Sequence, residues 1–275
     1  MGLTVNNKEF ESMQEFSKQG RGCATNRPSN YQIKRNDERV SRFRRRDLAA
    51  STATIPIMFI HITDGQNGEI TEDQRLMQVE VLNQVFSQYG ITFSYSPDDV
   101  IWEENINWYY MDIDSIDERL AKRELQSDPR FYLNLYTAGL TPGLLGWATY
   151  PWTRNGDMES DGVVILNEAF PEGSEENFNF GMTAVHEVGH WLGLYHTFEG
   201  GCDPYGDQVG DTPSHSGPNE GKPPEGRNNA CNPKESAPIH NYMNYVDDEW
   251  MDEITDDQVT RIWEHIRIYR PEFID

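Results

Sequence analysis

One stretch, from His186 to His196, carries side chains suited to binding a metal and moving a proton, and it reads H-E-x-x-H-x-x-G-x-x-H. On a helix, residues i and i+4 share a face, so His186 and His190 can direct two imidazoles at one point. Neutral imidazole suits Zn²⁺, and a catalytic zinc keeps three protein ligands and one open position. Gly193 can adopt a positive φ and turn the chain back. His196 can therefore complete a three-histidine zinc site.

Glu187 follows the first histidine and lies beside the metal point without needing to ligate it. A carboxylate there can accept a proton from water, which is the task of a general base. A structural zinc would instead be closed by a fourth protein ligand. We therefore favour a zinc-dependent hydrolase over a structural zinc site, and the resemblance described below implies that its substrates are peptides. The alternatives are a non-catalytic binding module stabilised by zinc and calcium, a different metal hydrolase, and a buried helix whose histidines only pack.

The charge of the chain is unevenly distributed around its total of -23. Residues 1–46 carry 11 Lys+Arg against 5 Asp+Glu, a net +6, whereas residues 47–275 carry 12 against 41, a net -29. A basic leader ahead of an acidic body suggests that the leader docks on the body. The alternative is a disordered arm that binds something else. Nucleic acid is not an expected partner, because its phosphates repel an acidic surface.

No apolar run approaches the length of a membrane-spanning helix, so no membrane partner is expected. Residues 1–6 begin no apolar signal segment, but we expect a secreted or extracytoplasmic protein. Of the three cysteines, Cys202 and Cys231 flank a loop rich in Gly, Pro, Asn and Asp. Such a loop has little apolar material to hold itself, so we expect a disulfide between these two cysteines. Cys23 then stays unpaired in the basic leader.

The hydrophobic pattern predicts an α+β fold in which strands interleave with helices. The predicted strands are 54–62, 91–95, 130–136, 144–151 and 161–167, with 108–111 as a further candidate. The predicted helices are 71–89, 114–125, 183–192 and 255–269. Residues 1–46 show no sustained period, and residues 199–240 read as a long ordered loop.

The histidine motif, together with a downstream turn Asn241-Tyr242-Met243-Asn244-Tyr245, resembles the metzincin signature. The continuation through Thr197-Phe198, Gly200-Gly201-Cys202 and Gly206 to Pro213 resembles the pappalysin family, in particular its ulilysin-like members. The resemblance implies a prosegment at 1–46 and a two-subdomain catalytic domain at 47–275. The upper subdomain, about 47–193, would carry a short twisted mixed sheet and the active-site helix. The lower one, about 194–275, would be rich in loops.

The resemblance also implies roles for residues around the zinc. Met243 would form an apolar floor. Tyr245 matches a tyrosine that approaches the zinc and would assist catalysis, although a packing role is the alternative. Asp248 would line the S1′ pocket and favour Arg in the substrate, with Asp247 as its rival. Substrates would be peptides or proteins.

Two further expectations concern binding of substrate and of calcium. The strand that contains Val163 and Val164 would pair with an extended peptide if it were an edge strand, and would not if it were a buried central strand. Structural calcium would be held by Glu199, Asp207, Asp211 and the Thr212 carbonyl, unless this is only a solvated acidic loop. The family's second disulfide is absent, because Trp250 stands at the cysteine position.

The resemblance also implies that Cys23 is a cysteine switch. Its thiolate would take the open zinc position, so that the prosegment inhibits its own enzyme. Arg21 could pair with Glu187 or Asp248. Release would follow cleavage within 41–46, for instance between Ser41 and Arg42, and the enzyme could make that cut itself. The alternative is a free surface thiol in a flexible tail.

Overall fold

The computed structural model describes residues 3–5, 8–10, 22–42, 51–153, 157–203, 206–226 and 228–275, the first two segments as backbone only. The strands are β1 Leu3–Val5, β2 Lys8–Phe10, β3 Gly22–Cys23, β4 Ala53–Thr63, β5 Ile91–Ser94, β6 Val100–Glu104, β7 Leu133–Ala138, β8 Leu144–Ala148, β9 Val163–Leu166, β10 Glu220–Gly221 and β11 Tyr245–Val246. The helices are α1 Asn30–Arg42, α2 Glu72–Phe86, α3 Ile106–Tyr109, α4 Ile116–Leu125, α5 Met182–Trp191 and α6 Asp256–Tyr269.

A mixed sheet forms the upper part of the molecule, with strand order β3-β8-β9-β7-β4-β5 and β6 paired to the second half of β4. All of its pairings are parallel except β8 with β9. Helices α2 and α5 pack together on one face, and apolar side chains of the sheet and of both helices share one core. The predicted α+β fold with a short mixed sheet is confirmed.

Local signals place the ends of the long helices. Thr71 caps α2 in a capping box with Gln74, and Thr255 caps α6 in the same way with Gln258. In each pair the threonine oxygen accepts an amide hydrogen of the first turn, and the glutamine returns the bond. After a short 3₁₀ turn, Gly90 ends the α2 region with φ 78°. Both helices lie close to their predicted positions.

Other predictions at this level were incomplete or wrong. Residues 108–111 were a candidate strand, but α3 occupies Ile106–Tyr109, because the Asn105 side chain accepts from Asn107 N and Trp108 N and so starts a helix. Strand β6 was missed, since its residues are only partly buried or exposed and show no clear alternation. Helix α1 was missed inside the basic leader.

Helix α1 lies on α6, so the described part of the leader docks on the acidic body as predicted. The buried Asn36 amide joins His265 Nε2 at 3.0 Å and accepts the Tyr269 hydroxyl at 2.8 Å. The Arg39 guanidinium lies 4.9 Å from the centre of the Tyr269 ring. These polar and cation–π contacts hold α1 against α6, because the buried side chain of α1 is the polar Asn36 rather than an apolar residue.

Among the described residues, the segment 197–254 has little regular structure apart from β10, β11 and a 3₁₀ turn at Asp248–Trp250. Its described loop residues are tied by the predicted disulfide between Cys202 and Cys231, with the Cα atoms 5.6 Å apart. In the described parts of the chain, none of the helices combines the length and the apolar composition that crossing a membrane would require.

Candidate active site

Helix α5 carries the first two histidines into the interior on one face. His186 Nε2 and His190 Nε2 lie 3.2 Å apart. Gly193, with φ 105°, turns the chain just after the helix, and a Cβ there would lie 2.6 Å from the His265 ring. The chain then returns His196 Nε2 to within 3.1 Å of His190 Nε2. The three predicted zinc ligands are therefore brought together.

The hydrogen bonds made by Nδ1 of His186 and His190 determine whether Nε2 of each ring is free to bind a metal. His186 Nδ1 donates to the Tyr242 carbonyl at 2.6 Å, and His190 Nδ1 donates to the Leu194 carbonyl at 2.8 Å. Burial lowers the pKa of His186 to about 4 and holds the pKa values of His190 and His196 well below their usual range. The rings are thus neutral, and Nε2 lone pairs face one another. Facing lone pairs repel one another, so this arrangement is unfavourable without a cation between them. It fits Zn²⁺, which binds imidazole nitrogens at about 2.0–2.1 Å.

Cys23 is the fourth member of this group. Its Sγ and the ligand atoms of the three histidines all lie within 4.8 Å of one another, the only such His/Cys/Asp/Glu group among the described residues. The cysteine is 4% exposed, which excludes the free surface thiol. Burial, followed by the charge of Glu187, raises the pKa of the thiol well above its usual value. A metal cation is the group that would stabilise a thiolate there.

Strand β3 holds Cys23 in place by pairing with β8. Gly22 lies opposite Leu144 and Cys23 opposite Gly146, and Ala24 N donates to the Gly146 carbonyl at 2.9 Å. A Cβ on Gly146 would lie 2.6 Å from the Val164 carbonyl and 3.2 Å from Glu187 Cγ. This glycine therefore lets the edge of the sheet approach the active-site helix closely, as strand glycines often do.

Glu187 is 1% exposed and is also covered by the leader. Its Oε2 accepts the Thr25 hydroxyl at 2.9 Å, while the Thr25 oxygen accepts the Ala148 amide at 2.9 Å. Burial raises the pKa of Glu187 to about 8 in this arrangement. Thr25 was missed from the sequence, because nothing in the spacing around Cys23 indicates a contact 162 residues away.

The turn around Met243 closes the other side of α5. A Cβ on Gly189 would lie 2.5 Å from Met243 Sδ, so the methionine packs directly against the helix between the two histidine turns. The Met243 carbonyl accepts Thr197 N at 3.1 Å. Tyr245 then directs its hydroxyl at the site, 3.2 Å from His196 Nε2 and donating to the Cys23 carbonyl at 3.0 Å. The structure thus places it against the candidate metal ligands.

Asp248 lines a small cavity of about 30 Å³ beside His186 and Glu187, whose wall also includes Gly22 of the leader. The carboxylate is 2% exposed and accepts Phe180 N at 2.9 Å and Met182 N at 3.3 Å. Burial raises its pKa to about 7, partly offset by these hydrogen bonds. Asp247, the rival, is partly exposed and does not line the cavity.

The prediction that Val163 and Val164 bind substrate was wrong. Strand β9 lies between β8 and β7, and both valines are fully buried. A short, wholly apolar strand is typical of the middle of a sheet, where both sides are already hydrogen-bonded. The strand beside the cleft is β8, and β3 of the leader occupies its outer side.

The four predicted calcium ligands are not gathered into one group. Asp207 accepts the Thr212 hydroxyl at 2.7 Å, whereas Asp211 is exposed and accepts Asp257 N at 3.0 Å. Glu199 instead pairs with Arg27 of the leader, Nε to Oε1 at 3.2 Å. Sequence spacing cannot show which of several acidic loop residues face each other.

Other sequence predictions have simpler outcomes. Trp250, at the position of the family's extra cysteine, stacks on His240 with ring centroids 5.4 Å apart, so an aromatic contact is present there. Arg21 and residues 43–46 lie outside the described residues.

Comparison with known proteins gives a consistent result. The family model Peptidase_M43, described as pregnancy-associated plasma protein-A, matches residues 115–267, more than half of the chain. An extracellular metalloprotease of Colletotrichum graminicola is 37% identical over 260 residues, 90% of each chain. Mature mirolysin of Tannerella forsythia, solved with a cleaved peptide, is 26% identical with TM-score 0.69 over 82% of this chain and 100% of its own. A promirolysin mutant of the same species has TM-score 0.80 at 24% identity, covering 92% and 97%, and shows the shared fold.

Proposed function

The chain belongs to the Peptidase_M43 (pappalysin) family and is a metalloendopeptidase, and on that premise we propose that it is made as a latent zinc enzyme. Residues 1–46 would be the inhibitory prosegment and residues 47–275 the catalytic domain. The observation that carries this proposal is the single buried group of Cys23 with His186, His190 and His196. Three neutral imidazoles and a thiolate would together satisfy a zinc ion, and loss of the thiolate would leave one ligand position free for water.

His186, His190 and His196 would hold the zinc. When bound, Zn²⁺ supplies Lewis acidity for activating water and polarising the scissile carbonyl. Glu187 accepts the proton of the attacking water and returns it to the leaving amine nitrogen. The Tyr245 hydroxyl, now directed at the Cys23 carbonyl, would donate to the oxyanion that develops on a substrate carbonyl.

Latency would rest on three contacts that a substrate also needs. The Cys23 thiolate would take the open metal position, the Thr25 hydroxyl donates to the general base Glu187, and β3 covers the outer side of β8. An extended peptide substrate would pair with the same edge. Displacing the prosegment therefore frees metal, base and binding strand together.

Activation would follow cleavage within 41–46. Helix α1 ends at Arg42, and Ser41 and Arg42 are both exposed, so a protease can reach the bond between them. We expect Cys23→Ser to shorten the lag before self-cleavage, because the serine keeps the shape and lacks the thiolate. The N-terminus is followed by mass spectrometry, with Glu187→Ala as the inactive control that still binds zinc. An unchanged lag in Cys23→Ser would remove the switch from the account.

The cavity beside His186 supports a preference for Arg immediately after the cleaved bond. Its buried Asp248 carboxylate could pair with a guanidinium. In a peptide library digested with and without a chelator, we expect cuts before Arg. Asp248→Asn should reduce the Arg preference by about tenfold or more, as loss of a charged hydrogen-bond partner implies, and Asp247→Asn serves as the matched control. Apolar residues immediately after the cut sites, or an Arg preference that survives Asp248→Asn, would show that Asp248 does not determine the specificity of the pocket.

Calcium and secretion complete the proposal. Burial raises the pKa of Asp207 to about 7, and a cation would offset the cost of ionising that carboxylate. We expect calcium chelation under zinc-saturating conditions to lower the melting temperature, and an unchanged value would argue against calcium. Relatives named extracellular metalloproteases support secretion of this chain. A zinc-loaded protein that cleaves no peptide would favour the alternative, a binding module.

A further inference from the structure

Arg27 and Glu199 form an ion pair at the rim of the cleft, and the catalytic residues described above do not use it. Arg27 Nε lies 3.2 Å from Glu199 Oε1, with side-chain exposures of 42% and 10%. The carboxylate is thus buried in the catalytic domain, while the guanidinium reaches it from the solvent side. The buried Glu199 carboxylate can therefore bind a cationic side chain that approaches from solvent.

The surroundings of Glu199 fix its carboxylate and leave room for a flat cation. Glu199 Oε2 lies 3.5 Å from His196 Nδ1, so the side chain is oriented on one side by a residue of the metal group. Gly200 borders the guanidinium, and a Cβ there would lie 3.8 Å from Arg27 Nη2. Gly200 has φ 72°, a conformation that favours glycine. At this position the chain therefore presents only backbone to the guanidinium.

The course of the leader gives the position of this pair relative to the metal. Gly22 lines the cavity of Asp248, Cys23 joins the histidine group, and Arg27 reaches Glu199. The segment thus passes from the Asp248 side, across the metal group, to Glu199. Arg27 follows Cys23 by four residues, a span of at most about 13 Å in an extended chain.

We propose that Glu199 forms a second acidic subsite, on the non-primed side of the cleft, which binds an Arg or Lys side chain of the substrate after the prosegment has left. This inference rests on the proposed peptidase function. In the latent chain Arg27 occupies the subsite. Once Arg27 departs, a buried carboxylate is left without its cation, which is unfavourable. A basic side chain two to four residues before the cleaved bond would replace it, within the reach given above.

The test uses the full chain after its processing near 41–46. Peptides share Arg after the cleaved bond and carry Arg or Ala at each non-primed position in turn. At one of these positions we expect the ratio of kcat/KM for Arg over Ala to be about 10–100, as a hydrogen bond to a charged group implies. In Glu199→Gln this ratio should fall to near 1. Comparing two substrates within one variant cancels any general loss caused through His196.

Asp248→Asn provides the reciprocal control. This variant should lose the preference for Arg after the cleaved bond and keep the Arg/Ala ratio of kcat/KM at the non-primed position. Glu199→Gln should lose the non-primed ratio and keep the preference for Arg after the cleaved bond, with its zinc content unchanged. A second measurement uses a synthetic peptide of residues 22–28 as inhibitor. Replacing its Arg27 by Ala should weaken inhibition of the wild type about 10–100-fold and inhibition of Glu199→Gln hardly at all.

The outcomes separate the two proposals. Cleavage before Arg without a non-primed preference, or a preference that persists in Glu199→Gln, overturns the second subsite alone. A processed protein with no chelator-sensitive cleavage overturns the peptidase proposal, and the subsite with it.

Discussion

A buried ion pair joins three parts of the fold behind the metal group. Arg270 Nη1 and Nη2 contact both carboxylate oxygens of Asp161 at 2.9 and 2.8 Å, and both residues are no more than 1% exposed. The guanidinium also lies 3.5 Å from the Trp191 ring centre, and its Nε donates to the Trp191 carbonyl at 3.3 Å. The ion pair therefore links the segment just before β9, the end of α5 and the end of α6.

Asp161→Asn removes the negative charge and keeps the shape. The guanidinium then stays buried without its carboxylate, and breaking a buried pair in this way costs about 3–5 kcal/mol. For a domain of this size each kcal/mol lowers Tm by roughly 2–4 °C, so we expect a decrease of about 6–20 °C. The double variant Asp161→Asn with Arg270→Met should be less destabilised than the sum of the single variants, because it removes both charges of the pair.

The free energy of unfolding is measured in urea on the zinc-loaded chain, in a Glu187→Ala background that prevents self-cleavage. Asp128→Asn is the matched control, since Asp128 pairs with Arg130 at the surface, where side-chain exposures are 36% and 55%. That control should leave the urea midpoint unchanged within error. A loss below about 1 kcal/mol for Asp161→Asn, or a double variant equal to the sum, would refute the reasoning.

Three further predictions concern the leader and the disulfide-bonded loop. Thr25→Val keeps the side-chain volume and removes the hydroxyl from the general base, so the lag before activation should shorten several-fold; an unchanged lag contradicts this contact. Burial lowers the pKa of His265 to about 3, and its neutral form is hydrogen-bonded to Asn36. Its contribution to the free energy of unfolding is therefore complete above about pH 6.5 and is lost toward pH 3, by about 1.4 kcal/mol per pH unit. His265→Gln should therefore show a shallower fall of stability between pH 6 and 4 than the wild type, and equal slopes would refute it. The Cys202–Cys231 disulfide spans 29 residues, so replacing both cysteines by Ser should cost about 3–4 kcal/mol in urea unfolding, and no change in the midpoint would show that the loop is held by other contacts.

Sequence alone was sufficient where the structure depends on one element and its neighbours. The i, i+4 spacing of His186 and His190, the turn at Gly193 and the capping boxes at Thr71 and Thr255 are properties of a few adjacent residues. Their backbone geometry is nearly the same in any protein, so the metal group and the helix ends could be predicted. The resemblance added Met243, Tyr245 and Asp248, which the structure places around the same group.

Which strand faces the cleft, and what covers it, depends on contacts between distant parts of the chain. Val163 and Val164 read equally well as edge or central, because strand position depends on which distant strands complete the hydrogen bonds on each side. The contacts of Thr25 with Glu187 and of Arg27 with Glu199 join residues more than 160 positions apart. No local period predicts such a contact, since it arises only when β3 pairs with β8 and brings the leader across the histidines.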